Sequence, residues 1–128
     1  MIYLETSVAL ASILAEQRSP PERMWNEQIV SSRLLRYEMW TRIHAYGLTQ
    51  SHADDARTLI DTVEFVELSA EVLARALEPF PVPLRTLDAL HLSTVDYLRA
   101  DGHVVELASY DKRILAGARA LGIPIYEA

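Results

Sequence analysis

The chain has 128 residues, half of them apolar, and no cysteine. That length suits one core and a single domain over residues 1–128, and the missing thiols exclude disulfides and thiolate metal sites. The formal charge of −6 counts against a large basic face for gripping nucleic acid, although Arg33, Arg36 and Arg42 form either a local basic patch or a solvated helix face. No apolar run approaches the roughly 18 residues that span a membrane. The N-terminal MIYLETSVAL lacks the basic segment and small-residue cleavage site of a secretory leader, so a soluble, cytoplasmic protein with no membrane partner is expected.

Residues 1–4, MIYL, are an apolar run suited to a buried strand, and Glu5-Thr6-Ser7 follows at once. The Ala- and Leu-rich text from Thr6 or Ser7 to Gln17 predicts a helix with Thr6 as N-cap. Ser19-Pro20-Pro21-Glu22 opens a short helix through Met24 and Trp25. Ile29 and Val30 predict a second strand ending at Ser31-Ser32, and a long helix follows from Arg33 to Tyr46, stopped by Gly47. Ser51 begins another helix to Thr62, and Val63 to Leu68 alternate as a strand. A helix opened by Ser69 ends before Pro79, and Pro79-Phe80-Pro81-Val82-Pro83 reads as a rigid loop. Leu84 to Arg99 is the clearest helix. His103 to Ala108 is a strand, Asp111 to Leu121 a helix, and Gly122 to Tyr126 a turn into a last strand. Strands alternating with helices imply an α/β fold with a mainly parallel sheet covered on both faces.

In such sheets, sites form just beyond the carboxyl ends of the strands. Glu5 follows the first strand and Asp111 follows the strand at 103–108; each alone also reads as an ordinary helix cap. Asp88 shares a helix face with Leu84, His91, Leu92 and Val95, where a carboxylate is costly unless paired, hydrogen-bonded or metal-bound. Glu38 stands among Leu34, Leu35, Tyr37 and Met39. Its plain alternative is a pair with Arg42 or Arg33 contributing a few tenths of a kcal/mol. His91 is read as packed and hydrogen-bonded rather than as a proton carrier, and Trp25, Trp40, Tyr46 and Phe65 as core or interface. Oxygen-only ligands without cysteine or paired histidines favour Mg2+ or Mn2+ over zinc. Two such ions can hold the attacking and leaving oxygens of a phosphodiester displacement.

The segments Met1-Ile2-Tyr3-Leu4-Glu5-Thr6-Ser7, Leu34-Leu35-Arg36-Tyr37-Glu38, Leu87-Asp88-Ala89-Leu90-His91-Leu92 and Ser109-Tyr110-Asp111-Lys112-Arg113 resemble PIN-domain proteins, specifically VapC-type toxins, over essentially the whole chain. The resemblance implies a PIN-like three-layer α/β/α fold with a short, mainly parallel central sheet. It implies a Mg2+- or Mn2+-dependent endoribonuclease whose catalytic and metal-site acids are Glu5, Glu38, Asp88 and Asp111, supported by Thr6, Ser7 and Ser109. A VapB-type antitoxin, a homodimer and a structured RNA target such as transfer or ribosomal RNA come with it. One residue departs from the pattern: the first acid of the family is normally aspartate. Glu5 adds a methylene, and a misplacement of about 1 Å can cost about a hundredfold in rate. The alternative is therefore an attenuated or inactive module that binds antitoxin or RNA. A phosphoryl-accepting regulatory domain would need an acidic pair after the first strand, where this chain has Glu5 followed by Thr6-Ser7.

Overall fold

The computed structural model describes residues 1–128. Its elements run β1 (Ile2–Leu4), α1 (Thr6–Ile13), a 3-10 turn (Glu22–Asn26), β2 (Ile29–Ser32), α2 (Arg33–Ala45), α3 (Thr49–Asp61), β3 (Glu64–Val66), α4 (Ala70–Ala76), α5 (Thr86–Ala100), β4 (Glu106–Ala108) and α6 (Lys112–Ala120). The four strands pair in parallel in the order β3-β2-β1-β4. Alternation along β1 assigns its side chains to two layers. Ile2 and Leu4 join residues of α1, α2 and α3 in one apolar core, while Tyr3 joins Leu92, Val95 and Leu98 of α5 and Ile114 and Ala118 of α6 in the other. The result is the three-layer α/β/α arrangement, with a short central sheet and no helix long and apolar enough to cross a membrane.

Several boundaries differ from the sequence expectation for local reasons. The cap of α1 is Glu5, not Thr6: its carboxylate accepts the Ser7 N–H at 3.0 Å, leaving the Thr6 hydroxyl free to reach elsewhere. The helix ends at Ile13 instead of Gln17 because Ala15 adopts a φ of 50°. Glu16 N–H then reaches back to the Ala11 carbonyl at 3.1 Å, a closure usually made with glycine. Gly47, with a φ of 69°, ends α2 in the expected way. The segment after Pro21 closes as a 3-10 turn, and α5 begins at Thr86, beyond the proline loop. Strand β4 starts only at Glu106 because β1 offers three residues to pair with. The last expected strand is reduced to one parallel bridge between Leu107 and Ile125. On the far face α6 approaches α5 closely at Gly117, where an added Cβ would stand 2.7 Å from Leu92 Cδ1.

Ala15 is exposed and holds a backbone conformation that costs an L side chain about 1 kcal/mol. Ala15→Gly is expected to raise stability by about 0.5 kcal/mol once the extra freedom of glycine in the unfolded chain is subtracted. A urea titration checks this, and a fall in the midpoint would contradict it.

Candidate active site

From β1 the chain winds outward through β2 to β3, then crosses to the other side of β1 as β4. The switch point therefore lies between β1 and β4, and in open parallel sheets a crevice forms there at the carboxyl ends of the strands. Glu5 leaves the end of β1, with its N–H on the Ala108 carbonyl at 3.0 Å. Ser109, Tyr110 and Asp111 leave β4 beside it. A cleft of about 480 Å3 opens at this place, and Glu5, Glu38, Asp88 and Asp111 all line it.

Three of the four acids stand at helix N-termini. Glu5 caps α1, and Asp111 caps α6 through Oδ1, which accepts from the N–H groups of Arg113 at 2.9 Å and Ile114 at 3.2 Å. Asp88, in the first turn of α5, accepts the Arg85 N–H through Oδ2 at 3.2 Å. Each helix start presents about half a positive charge to its carboxylate. Both readings of Glu5 and Asp111 left open by the sequence thus meet in the same side chains: they cap, and they line the cleft. No group of three acids or histidines is drawn close enough to form a ready-made metal cluster.

Glu5 is only 4% exposed and is the most heavily bonded of the four. Its Oε1 accepts from the hydroxyls of Ser7 and Ser109, each at 2.5 Å, and Oε2 accepts the Ser7 N–H. Ser109 Oγ also receives the Asp111 N–H at 3.0 Å, and Ser7 Oγ the Tyr110 N–H at 2.8 Å, so the two serines fasten the ends of β1 and β4 together. Glu38 lies in mid-α2 and makes neither of the arginine pairs that the sequence allowed. Arg33 pairs instead with Glu67 at 2.8 Å, and Glu38 Oε1 accepts from Thr6 Oγ1 at 2.9 Å and His91 Nε2 at 2.6 Å. His91 is 1% exposed, packed and bonded at both nitrogens, with the Tyr3 hydroxyl 2.7 Å from Nδ1. Burial pushes the Tyr3 phenol well above the ordinary tyrosine value, so it stays protonated and able to donate.

The donor set fits a hard divalent cation. Glu38 Oε2, Asp88 Oδ1 and Asp111 Oδ2 accept no hydrogen bond, while the opposite oxygen of each carboxylate is anchored. Carboxylate oxygens are the ligands that Mg2+ and Mn2+ prefer. Arg42, Arg85 and Arg113 line the same cleft, all exposed and none engaged in an ion pair. The three arginines singled out in the sequence do not act together: Arg42 faces the cleft, whereas Arg33 and Arg36 line a separate groove with Trp40 and His44.

Comparison with known proteins identifies the fold. The PIN domain family model matches residues 2–120. The chain belongs to the PIN domain family. Among curated PIN relatives, Ribonuclease VapC47 of Mycobacterium tuberculosis is 29% identical, with 95% of this chain aligned to 93% of that protein. Ribonuclease VapC46 of the same species is 30% identical over 97% of this chain and 95% of its own length. A solved structure described as a toxin-antitoxin complex from Klebsiella pneumoniae has the same fold, with a TM-score of 0.63 at 18% identity over 94% of each chain.

Within this PIN domain, sequence reasoning missed Tyr3, Arg85 and Arg113. Tyr3 was hidden in an apolar strand, its hydroxyl the only sign of a polar neighbour. Arg85 and Arg113 sit at the starts of α5 and α6, where a cation opposes the helix dipole, and that misplacement was the available signal for nearby negative charge. Trp25, Trp40 and Phe65 pack at the edge of the first core, while Tyr46 is largely exposed.

Ser109 ties the end of β4 to Glu5 at the end of β1 and also holds the Asp111 N–H in its own turn. Ser109→Ala is expected to lower the unfolding free energy by about 1–3 kcal/mol, because it strips a donor from buried Glu5 and an acceptor from the Asp111 N–H. A reduced urea midpoint at unchanged slope is the expected readout, and an unchanged midpoint would show the Ser109 hydroxyl to be idle.

Proposed function

We propose that this chain is a Mg2+- or Mn2+-dependent endoribonuclease, the toxin of a toxin–antitoxin pair, which hydrolyses phosphodiester bonds of structured RNA in the acidic cleft. One observation carries the reading: Glu5, Glu38, Asp88 and Asp111, from distant parts of the chain, line a single cleft at the switch point of the sheet. The relatives, ribonucleases VapC47 and VapC46, support RNA as the substrate. The toxin-antitoxin complex that shares the fold supports an antitoxin partner. A homodimer belongs to the same reading.

Glu38, Asp88 and Asp111 would hold the ion through their unbonded oxygens, with Glu5 completing the ring of charge. When bound, a divalent cation supplies Lewis acidity toward the scissile phosphate. Arg42, Arg85 and Arg113 offer planar forks suited to the flanking phosphates, offsetting the repulsion between RNA and an acidic protein. Thr6, Ser7 and Ser109 orient the acids through their hydroxyls.

A second reading, an attenuated module that retains antitoxin or RNA binding, is favoured by the state of Glu5. Its Oε1 already accepts two hydroxyls and its Oε2 a backbone N–H, so the side chain serves the fold before it serves an ion.

Asp88→Asn keeps an oxygen for the Arg85 N–H but loses the charge. Cleavage of a labelled structured RNA in Mn2+ is expected to fall at least about a hundredfold at an unchanged melting temperature, and full activity would remove Asp88 from the site. Glu5→Asp separates the two readings in the same assay. A fall in rate supports the active enzyme, whereas a rise of about tenfold or more with unchanged RNA binding supports attenuation.

A further inference from the structure

Glu38 differs from the other three acids in what holds it. Glu5, Asp88 and Asp111 each accept a backbone N–H at a helix start, but Glu38 lies in the middle of α2 with no such donor. A free glutamate side chain gives up about 1.5–2 kcal/mol of rotamer freedom when ordered, so something else must fix it. Two donors converge on Oε1, Thr6 Oγ1 at 2.9 Å and His91 Nε2 at 2.6 Å, and leave Oε2 with none. His91 is held from behind. The Tyr3 hydroxyl lies 2.7 Å from Nδ1, and its ring stands edge-on to the imidazole at 81° with centroids 5.8 Å apart. Tyr3 itself is fully buried in the central strand and receives the Ser32 N–H at 3.3 Å. A carboxylate only accepts, so the hydrogen between His91 and Glu38 belongs to Nε2; in the neutral imidazole Nδ1 is then the acceptor for the Tyr3 hydroxyl.

We infer that Tyr3 and His91 are positioning residues for Glu38: the Tyr3 hydroxyl keeps the imidazole hydrogen on Nε2, and Nε2–H clamps Oε1 so that Oε2 is left for the cation. This rests on the acidic cleft being the cation site of the function proposed above. A histidine that merely filled the core would need no carboxylate partner. Here the imidazole spends both nitrogens on a line from the central strand to the cleft, spanning residues 88 and then 53 positions apart in the chain. Groups that orient metal-binding carboxylates in this manner typically govern about 10- to 100-fold in metal affinity.

The test uses the full chain without RNA. In the metal-free protein, a long-range 15N–1H correlation spectrum is expected to show His91 protonated at Nε2 and bare at Nδ1; a hydrogen on Nδ1 overturns the inference. Mn2+ binding is then followed by electron paramagnetic resonance. His91→Leu is expected to weaken it by about 10- to 100-fold, and His91→Gln, whose amide N–H reaches the same oxygen, to restore it to within about threefold. Tyr3→Phe leaves Nδ1 without its partner and frees the ring to shift, and is expected to weaken Mn2+ binding by an intermediate factor. Unchanged affinity in a His91→Leu protein that circular dichroism shows to be folded overturns the inference. If that variant does not fold, equal affinities for Tyr3→Phe and wild type overturn it instead. Absence of Mn2+ binding by the wild type is a distinct result: it fails the metal-site reading itself and takes this inference with it.

Discussion

Like charges do not gather without compensation, and the site of this protein is organised around that constraint. Four carboxylates line one cleft, and each is met by donors fixed in the scaffold. Three helix starts supply backbone N–H groups to Glu5, Asp88 and Asp111, while serine, threonine and histidine side chains supply the rest. The parallel sheet makes this possible, because every strand delivers its chain to the same edge and the following helix begins there with its positive end inward. The fold thus prepares the cleft for negative charge before any ligand is considered.

Much of this was legible in the sequence, for identifiable reasons. Gly47, the Pro79–Pro83 loop and the alternation of strand and helix mark the layout, because glycine, proline and hydrophobic period act locally. Asp88 stood out as a charge on an apolar face. The end of α1 did not, since Ala15 is a good helix former and adopts a positive φ only to turn the chain toward the next strand. The partner of Glu38 was also hidden. An i+4 arginine is visible in the text, but the contacts actually made come from residues 32 and 53 positions away. Tyr3 could not be separated from its apolar neighbours, as its role depends on what the sheet places behind it.

Glu5 shows how capping and cleft lining coexist in one side chain and compete there. As a cap it is well served, with three donors on two oxygens. As a potential cation ligand it is the most encumbered of the four, because its three donors occupy lone pairs an ion would use. Asp88 and Asp111 divide the work differently, anchoring one oxygen and leaving the other without a partner. The two patterns give the cleft a firmly tied corner at Glu5 and freer oxygens around it.

The bond between Ser109 and Glu5 joins residues 104 positions apart, and β4 reaches its place beside β1 only after β2, β3 and five helices have been made. A nascent polypeptide emerging from the ribosome would carry Glu5, Glu38 and Asp88 well before Ser109 and Asp111 arrive to close the ring. The acidic cleft is therefore absent from any shortened translation product that stops before β4. Arrival of β4 and completion of the cleft become one event, so the topology itself times when the four acids first share a site.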